Sequence, residues 1–474
     1  MNVITQSLAH FVPEIFLLAG GFAMVFADLF LKNKRILGLL TLMVLAGTLL
    51  LAKAPAVAQP LFYGFFTLDA FTHFFRVLSL VVISFTVAIS MFYKPLSQEI
   101  EGEYYSLFLF MAFALILMAA STNLLMIFMA IEFVSILSYL LTGFLKKDPR
   151  SKEAAMKYFL FGSLASGTML YGMSLLFGLT GSLELMEIQA ALTSNPHFHS
   201  MALVSLLMIF AGLGFKISMA PFHMWAPDVY EAAPTPVSGF LTVAPKALGF
   251  AIFLRVLATA FYPLGDQWQP LLIVLSIATM SVGNLLAIAQ TNVKRLLAYS
   301  SVAQAGYILM GLAAFNEIGV VGVLIYLLAY AFTNLGAFAV VTAASNDLGN
   351  DELQSYAGLG RRAPFLAAAM TLFLLSLAGL PPFAGFIAKF YVFSAALQEG
   401  MILLAVVAAI NSAVAAFYYF KIVRMMYLVS PMQETPLHQP PSLLFTIGLL
   451  LAGVILIGLN PQPFIHFVKG MLLV

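Results

Sequence analysis

The chain has 474 residues, is 62% hydrophobic and only 9% charged, and has a mean hydropathy of +1.00. A soluble domain carries roughly 25% charged residues, so this composition excludes one and indicates an all-α integral membrane protein. The net charge of +2 is scattered over loops and apolar segments, which gives no surface for nucleic acid. With no cysteine, disulfides and cysteine-held iron–sulfur clusters are excluded, and none of the seven histidines pair at helical spacing inside an apolar segment to hold haem.

A membrane-spanning helix needs about 20 apolar residues. Fourteen candidates begin near residues 11, 36, 68, 104, 122, 153, 200, 237, 269, 295, 317, 364, 401 and 442. The first apolar run is too long for the core of a secretory signal and reads as a first span. With the N-terminus outside, the inner loops hold Lys32, Lys34, Arg35, Lys94, Lys146, Lys147, Arg150, Lys152, Lys294, Arg295, Arg361, Arg362, Lys421 and Arg424. The outer loops hold Lys53 and Lys469. That asymmetry supports the count, because one miscounted span would scramble the parity of every loop after it. It predicts both termini on the outer side of a single membrane domain in the lipid bilayer.

Six bases lie inside apolar segments: Arg76, Lys157, Lys216, Lys246, Arg255 and Lys389. Glu132 is embedded in Met126-Ile-Phe-Met-Ala-Ile-Glu132-Phe-Val-Ser-Ile. A charge at the bilayer centre costs roughly 2.5–3.5 kcal/mol on the gentlest scale, so seven such groups indicate a proton or ion pathway. Glu132 has no acidic neighbour and is expected to pair with a base on another helix. Lys157, early in the next span, could be that base or could snorkel to the inner face. Lys246 is ten residues into its span and too deep to snorkel. Arg76 and Arg255 are expected to pair structurally or snorkel, since arginine hardly ever deprotonates.

Two segments break their own helical pattern. One runs Gly212-Leu-Gly214-Phe-Lys216-Ile-Ser-Met-Ala-Pro221-Phe222-His223-Met-Trp225-Ala-Pro227, and the other Leu377-Ala-Gly379-Leu-Pro381-Pro382-Phe383-Ala-Gly385-Phe-Ile-Ala-Lys389. Proline removes a backbone donor and clashes with the preceding turn. Broken backbone at membrane depth is tolerated only inside protein or beside water. Lys216 lies roughly 7–8 Å of helix before Pro221, and Lys389 roughly 10 Å after Pro382. His223, just past the first break, is a candidate relay as well as a candidate structural residue. Ser121-Thr122-Asn123 echoes Gln290-Thr291-Asn292 five spans later, and Tyr158-Phe-Leu-Phe-Gly-Ser aligns weakly with Tyr326-Leu-Leu-Ala-Tyr-Ala. Five is odd, so the second copy inserts upside down, a transporter signature.

The run Pro221-Phe-His223-Met-Trp225-Ala-Pro227-Asp228-Val229-Tyr230-Glu231-Ala-Ala-Pro234-Thr-Pro236-Val237 resembles the antiporter-like membrane subunits of respiratory complex I. Leu380-Pro-Pro-Phe-Ala-Gly-Phe386 with Lys389 strengthens the resemblance. Pro227-Asp228-Val229-Tyr230 is similar to chain N of the bacterial NADH–quinone oxidoreductase, and the stretch after the last span lacks the long lateral helix of chain L. The resemblance implies two inverted five-helix repeats, over residues 104–262 and 268–429, each with one discontinuous helix. Three helices within residues 1–103 would precede them, and a last helix within 441–474 would follow.

It also implies roles in proton translocation. Glu132 would be the charge-pair glutamate, Lys157 its partner, Lys216 the central lysine, Lys246 the connecting lysine and Lys389 the terminal lysine. Many relatives carry a histidine where this chain reads Ser300-Ser301-Val-Ala-Gln304-Ala-Gly306-Tyr307, so a titratable relay is not expected there. The resemblance places no cofactor in this chain. NADH, FMN, iron–sulfur clusters and quinone would belong to partner subunits in the bacterial inner membrane. The nearest rival is a subunit of a multi-subunit sodium/proton antiporter, which shares the fold.

Overall fold

The computed structural model describes residues 3–31, 34–55, 58–97, 103–431 and 435–472; Lys32 lies outside them. Fourteen crossings are present among the described residues. Spans 1 to 6 are Val12–Phe30, Lys34–Leu51, Ala70–Ser90, Glu103–Ala120, Leu124–Thr142 and Pro149–Thr180. Span 7 is broken into His199–Ile217 and Trp225–Ala232. Spans 8 to 11 are Thr235–Ala258, Gly265–Ile288, Val293–Ala314 and Glu317–Leu348. Span 12 is broken into Pro364–Ala378 and Ala384–Gln398, and spans 13 and 14 are Ile402–Leu428 and Pro441–Leu459. Twelve of the helices are long and apolar enough to cross alone; the short span 2 and the broken span 12 complete the fourteen. A two-stranded hairpin, Gln59–Leu61 against Phe66–Leu68, joins spans 2 and 3.

Contacts between chain ends fix the parity. Lys94 after span 3 bonds Asp347 at the end of span 11 at 2.7 Å. Gln439 before span 14 reaches the same carboxylate at 2.9 Å. Lys421 near the end of span 13 donates to the Gln290 carbonyl at 2.9 Å. All of these lie on the face of the basic loops. On the opposite face, Phe74 at the start of span 3 packs on Phe467 in the helix Gln462–Lys469, after span 14.

The inverted repeat is visible in backbone hydrogen bonds. Span 5 opens on Asn123, whose side chain caps the helix by accepting from the Leu125 N–H. Its first turn is tied to the segment after span 6, with Leu124 N donating to Leu183 O at 2.8 Å and Leu185 N to Thr122 O at 3.2 Å. Span 10 opens on Asn292, which caps through Arg295 N–H. There Val293 N donates to Asp351 O at 2.8 Å and Leu353 N to Thr291 O at 2.7 Å. The first clasp lies on the face opposite the basic loops and the second on the basic-loop face, as inversion requires. Spans 6 and 11 are both 32 residues long and stop at left-handed glycines, Gly181 and Gly349.

Span 8 is buried along nearly its whole length and joins the two bundles. Near its far end Arg255 forks onto Asp69, the N-cap of span 3, at 2.9 and 3.1 Å. It also donates to Thr72 Oγ1 at 3.0 Å and lies over the Phe71 ring. Arg76 pairs with Glu14 of span 1 at 2.5 Å, with both side chains buried. Both arginines are therefore paired in place. Burial pushes the Asp69 carboxyl up, but the Arg255 charge and hydrogen bonds outweigh this and hold it below the usual carboxylate range. A depressed folded-state pKa stabilises above the unfolded value of about 4 and is lost only as pH falls below it. Asp69→Asn is therefore expected to lower the melting temperature of the purified complex by the same amount at pH 6 and pH 8. Arg255→Lys keeps the charge but loses the fork, and should lower the melting temperature less than Asp69→Asn. A loss that differs between the two pH values would remove this pair as its cause.

Candidate functional site

Span 5 carries Glu132 and, one turn on, Ser135. The half-buried Glu132 carboxylate accepts a short hydrogen bond from Ser166 of span 6. Lys216 ends the first half of span 7, two residues before Ser218, whose left-handed backbone (φ 58) closes that half-helix. Buried there, its Nζ donates to Ser135 Oγ at 3.0 Å. Glu132 and Ser135 stand one turn apart on span 5, so the serine that holds Lys216 sits beside the carboxylate.

Lys157 is not the partner of Glu132 in this structure. It is half exposed toward the basic-loop face and bonds Asp228 and Glu153, each at 2.9 Å. Lys157 lies nine residues before Ser166, about 13 Å along span 6, which a lysine side chain does not cover. The sequence places Lys157 near Glu132 only by span order; the pitch of a long helix separates them. Asp228 and Glu231, on the second half of span 7, also bind Arg295 of span 10 at 2.7 and 2.9 Å. This network lines a cavity of about 310 Å³ on the basic-loop face, with Arg150, Asp351 and Glu352 on its walls.

Lys246, midway along span 8, is buried and donates to Ser301 of span 10, at 3.0 Å to the carbonyl and 2.5 Å to Oγ. Lys389, in the second half of span 12, donates to the Ala378 carbonyl at 2.9 Å and to Ser412 Oγ at 3.2 Å. Its Nζ lies 4.4 Å from the centre of the Tyr307 ring. The Ala378 carbonyl is free because span 12 breaks at Gly379 (φ +86), so the break itself supplies the lysine's acceptor. His223 is buried between the two halves of span 7, and its Nδ1 has no hydrogen-bond partner among the described residues. The structure thus brings Glu132, Ser135 and Lys216 together, sets Lys246 and Lys389 on separate stations, and puts Lys157 at the surface.

The inverted repeat relates these stations. Glu132 is nine residues after the capping Asn123, and Ser301 is nine after Asn292. Ser135 and Gln304 are each twelve after. Lys216 is two residues before a left-handed stop, as is Leu377. The Lys216–Ser135 contact of one bundle becomes, in the other, Gln304 Nε2 donating to the Leu377 carbonyl at 3.0 Å.

Sequence reasoning missed Ser135, Ser301 and Ser412, because a serine in a span is common and unremarked. Their signal was spacing: Ser135 stands three residues from Glu132, on the same helix face. Glu14 was also missed, although an acid in the first turn of an apolar run is itself a signal.

Residues 121–415 match the family described as NADH:quinone oxidoreductase/Mrp antiporter, transmembrane. The chain belongs to this family. A relative from Solibacter usitatus, "NADH-quinone oxidoreductase subunit N 1", is 42% identical over 98% of this chain and 96% of its own length. A chain of respiratory complex I from Thermus thermophilus with bound aureothin superposes with a TM-score of 0.82 at 32% identity, over 97% of this chain and 99% of that one. A chain of the Mrp complex from Dietzia sp. DQ12-45-1b shares the fold, with a TM-score of 0.87 at 22% identity over 99% and 97%. In this antiporter-like chain the half-exposed Lys157 pair is worth no more than about 1 kcal/mol. Lys157→Met is therefore expected to keep quinone reduction by the assembled complex within about twofold, less than the tenfold that about 1.4 kcal/mol in a barrier produces. A loss as large as that of Glu132→Gln would tie Lys157 to Glu132 functionally despite their separation.

Proposed function

We propose that this chain is the subunit-N-type proton-translocating membrane subunit of an NADH–quinone oxidoreductase, working beside other membrane subunits of complex I. Electron transfer from NADH to quinone takes place in partner subunits, which bind NADH, FMN, iron–sulfur clusters and quinone; this chain holds no redox centre. It lies in the bacterial plasma membrane as a multi-pass protein with both termini on the outer side. A multi-subunit sodium/proton antiporter is the weaker alternative, since likeness to the Mrp chain, at 22% identity, extends to the fold alone, whereas the relative named subunit N is 42% identical over 96% of its length.

One observation carries the proposal. The arginines Arg76, Arg255 and Arg295 each contact a carboxylate. Among the described residues, the lysines Lys216, Lys246 and Lys389 each contact only hydroxyls, carbonyls or an aromatic ring. A carboxylate would lock a lysine in its charged form, whereas a hydroxyl can accept from an ammonium and donate to a neutral amine. The lysines that can change protonation are thus the ones whose surroundings permit both states.

In the proposed sequence, protons enter through the cavity lined by Asp228 and Glu231. A change of charge or position at Glu132, driven by the partner subunits, shifts the proton on Lys216. The proton passes to Lys246 and then to Lys389, and leaves on the face opposite the basic loops. His223, buried beside the first break, is a further candidate relay.

Two measurements test this. Lys216→Arg keeps the charge but cannot deprotonate at accessible pH; in vesicles it should lower proton uptake per assembled complex at least as much as Lys216→Ala. Near-normal pumping by Lys216→Arg would make this lysine a fixed charge. The purified chain alone should show no flavin, haem or iron absorbance and no NADH oxidation, and a stoichiometric cofactor would overturn the division of labour.

A further inference from the structure

On the face opposite the basic loops, a cavity of about 320 Å³ opens between the ends of spans 1 and 2, the hairpin and the start of span 3. Its volume falls within the roughly 300–1,000 Å³ of small-ligand sites. His10 and Lys53 stand exposed at its rim, and Asp69, His73 and Arg76 form its inner wall. His73 and Arg76 are three residues apart, so span 3 presents them on one face, roughly 6 and 10 Å along the helix from its cap at Asp69.

Both side chains are more than nine-tenths buried, at 8% and 3% exposure, and both leave a nitrogen unused. His73 Nδ1 has no hydrogen-bond partner among the described residues. Neither has Arg76 Nε, although Glu14 lies 2.5 Å from Nη2 of the same guanidinium. Buried polar groups are hydrogen bonded as a rule, so two orphans lining one cavity call for a partner inside it. The acid of the wall does not serve them. One Asp69 oxygen accepts from Arg255, and the other from Arg255 and the Thr72 N–H.

The wall also selects the chemistry of that partner. Arg76 Nε can only donate, and a histidine ring nitrogen can donate. In formal charge, Lys53, Arg76 and Arg255 outweigh Glu14 and Asp69 by three to two before either histidine is protonated. An anion with several acceptor oxygens answers both the orphan donors and the excess positive charge, and phosphate does so with charge-assisted hydrogen bonds. The remaining boundary is apolar: Val12 and Leu51 line the cavity at 47% and 45% exposure, and the exposed Phe16 continues that surface one turn along span 1.

We propose that this cavity binds a phosphate group, held by His73 and Arg76 from the inner wall and by Lys53 from the rim. The apolar flank suits the phosphodiester of a bilayer lipid, whose chains would lie along Val12, Phe16 and Leu51. Bound there, the phosphate ties the end of span 2 to span 3. The site goes beyond the translocation reading and does not rest on it, since none of its residues belongs to the proposed proton path.

The test is equilibrium binding of radiolabelled dihexanoyl phosphatidylglycerol to the purified, delipidated whole complex, with inorganic phosphate and dihexanoyl glycerol as competitors. His73→Leu removes the buried nitrogen. Lys53→Glu reverses the rim charge at an exposed loop, and so keeps the test valid should His73→Leu fail to assemble. Arg76 is left in place, because its loss would strand the buried Glu14. Each variant is expected to weaken one of the wild-type binding sites at least about tenfold, as loss of a contact to a charged group does. Competition then distinguishes the source. If inorganic phosphate fails to displace the label at this site, the ligand is a lipid headgroup; if it succeeds, free phosphate suffices, and either result upholds the phosphate site. Equal binding by wild type and both variants would overturn it. So would displacement by phosphate-free dihexanoyl glycerol as effective as by unlabelled phosphatidylglycerol, which would make the chains alone the ligand.

Discussion

On the translocation reading one constraint governs this molecule: an ammonium group in the middle of a membrane protein must find acceptors without being permanently charged. Ion pairing is the common solution for a buried base, and the arginines use it. A buried pair, however, is costly to break, roughly 3–5 kcal/mol when one partner is lost, which suits a fixed strut and not a group that must switch. Neutral acceptors satisfy the lysine at lower gain and leave its proton exchangeable. Ser135, Ser301, Ser412 and the Ala378 carbonyl are such acceptors. The three are not equivalent, since the serine that holds Lys216 stands one helical turn from Glu132, while Lys246 rests on Ser301 and Lys389 on a carbonyl and Ser412.

The broken helices follow from the same constraint. An intact helix consumes its own carbonyls and has none to offer a lysine. Ending a helix inside the protein releases several, and the chain uses them. Phe215 O accepts from the Trp225 indole at 3.2 Å, Leu377 O from Gln304, and Ala378 O from Lys389. Each freed group is therefore either a structural clasp or part of the polar path. In span 7 the lysine precedes the break and reaches across to a neighbouring span; in span 12 it follows the break and reaches back to the carbonyl that the break exposed.

Much of this was legible in the sequence, because the signals were physical and strong. Twenty-residue apolar runs fix the spans, loop lysines fix the parity, and paired prolines mark the breaks. The inverted repeat could be read from Asn123 and Asn292 because a helix N-cap is a local chemical requirement. What was not legible was pairing across spans. Lys157 follows Glu132 in the chain and could pair with it or snorkel to the inner face; the length of span 6 carries it to Asp228 at the surface. Arg255 was expected to pair or snorkel; it pairs, with Asp69 at the start of span 3, a partner that nothing local names. The hydrogen bonds of Gln304 reach Tyr326, Leu377 and Tyr419 on other spans, and no spacing rule within one helix could assemble them.

The relation between the two bundles gives the path an asymmetry. Glu132 and Ser301 occupy matching positions in the inverted repeat, but only the first is an acid. Lys216 therefore sits in a field that can change, because a carboxylate within reach can move or take up a proton. Lys246 rests on the neutral counterpart, Ser301, and Lys389 on a carbonyl and a serine, so among the described residues neither contacts an acid. On the translocation reading, a signal arriving at Glu132 acts first on Lys216. The later stations respond only to whether a proton has been delivered. On that reading, the acid at one matched position and the hydroxyl at the other, together with the Lys216/Leu377 and Ser135/Gln304 differences, make the first bundle the place where the drive is applied and the second the place that follows.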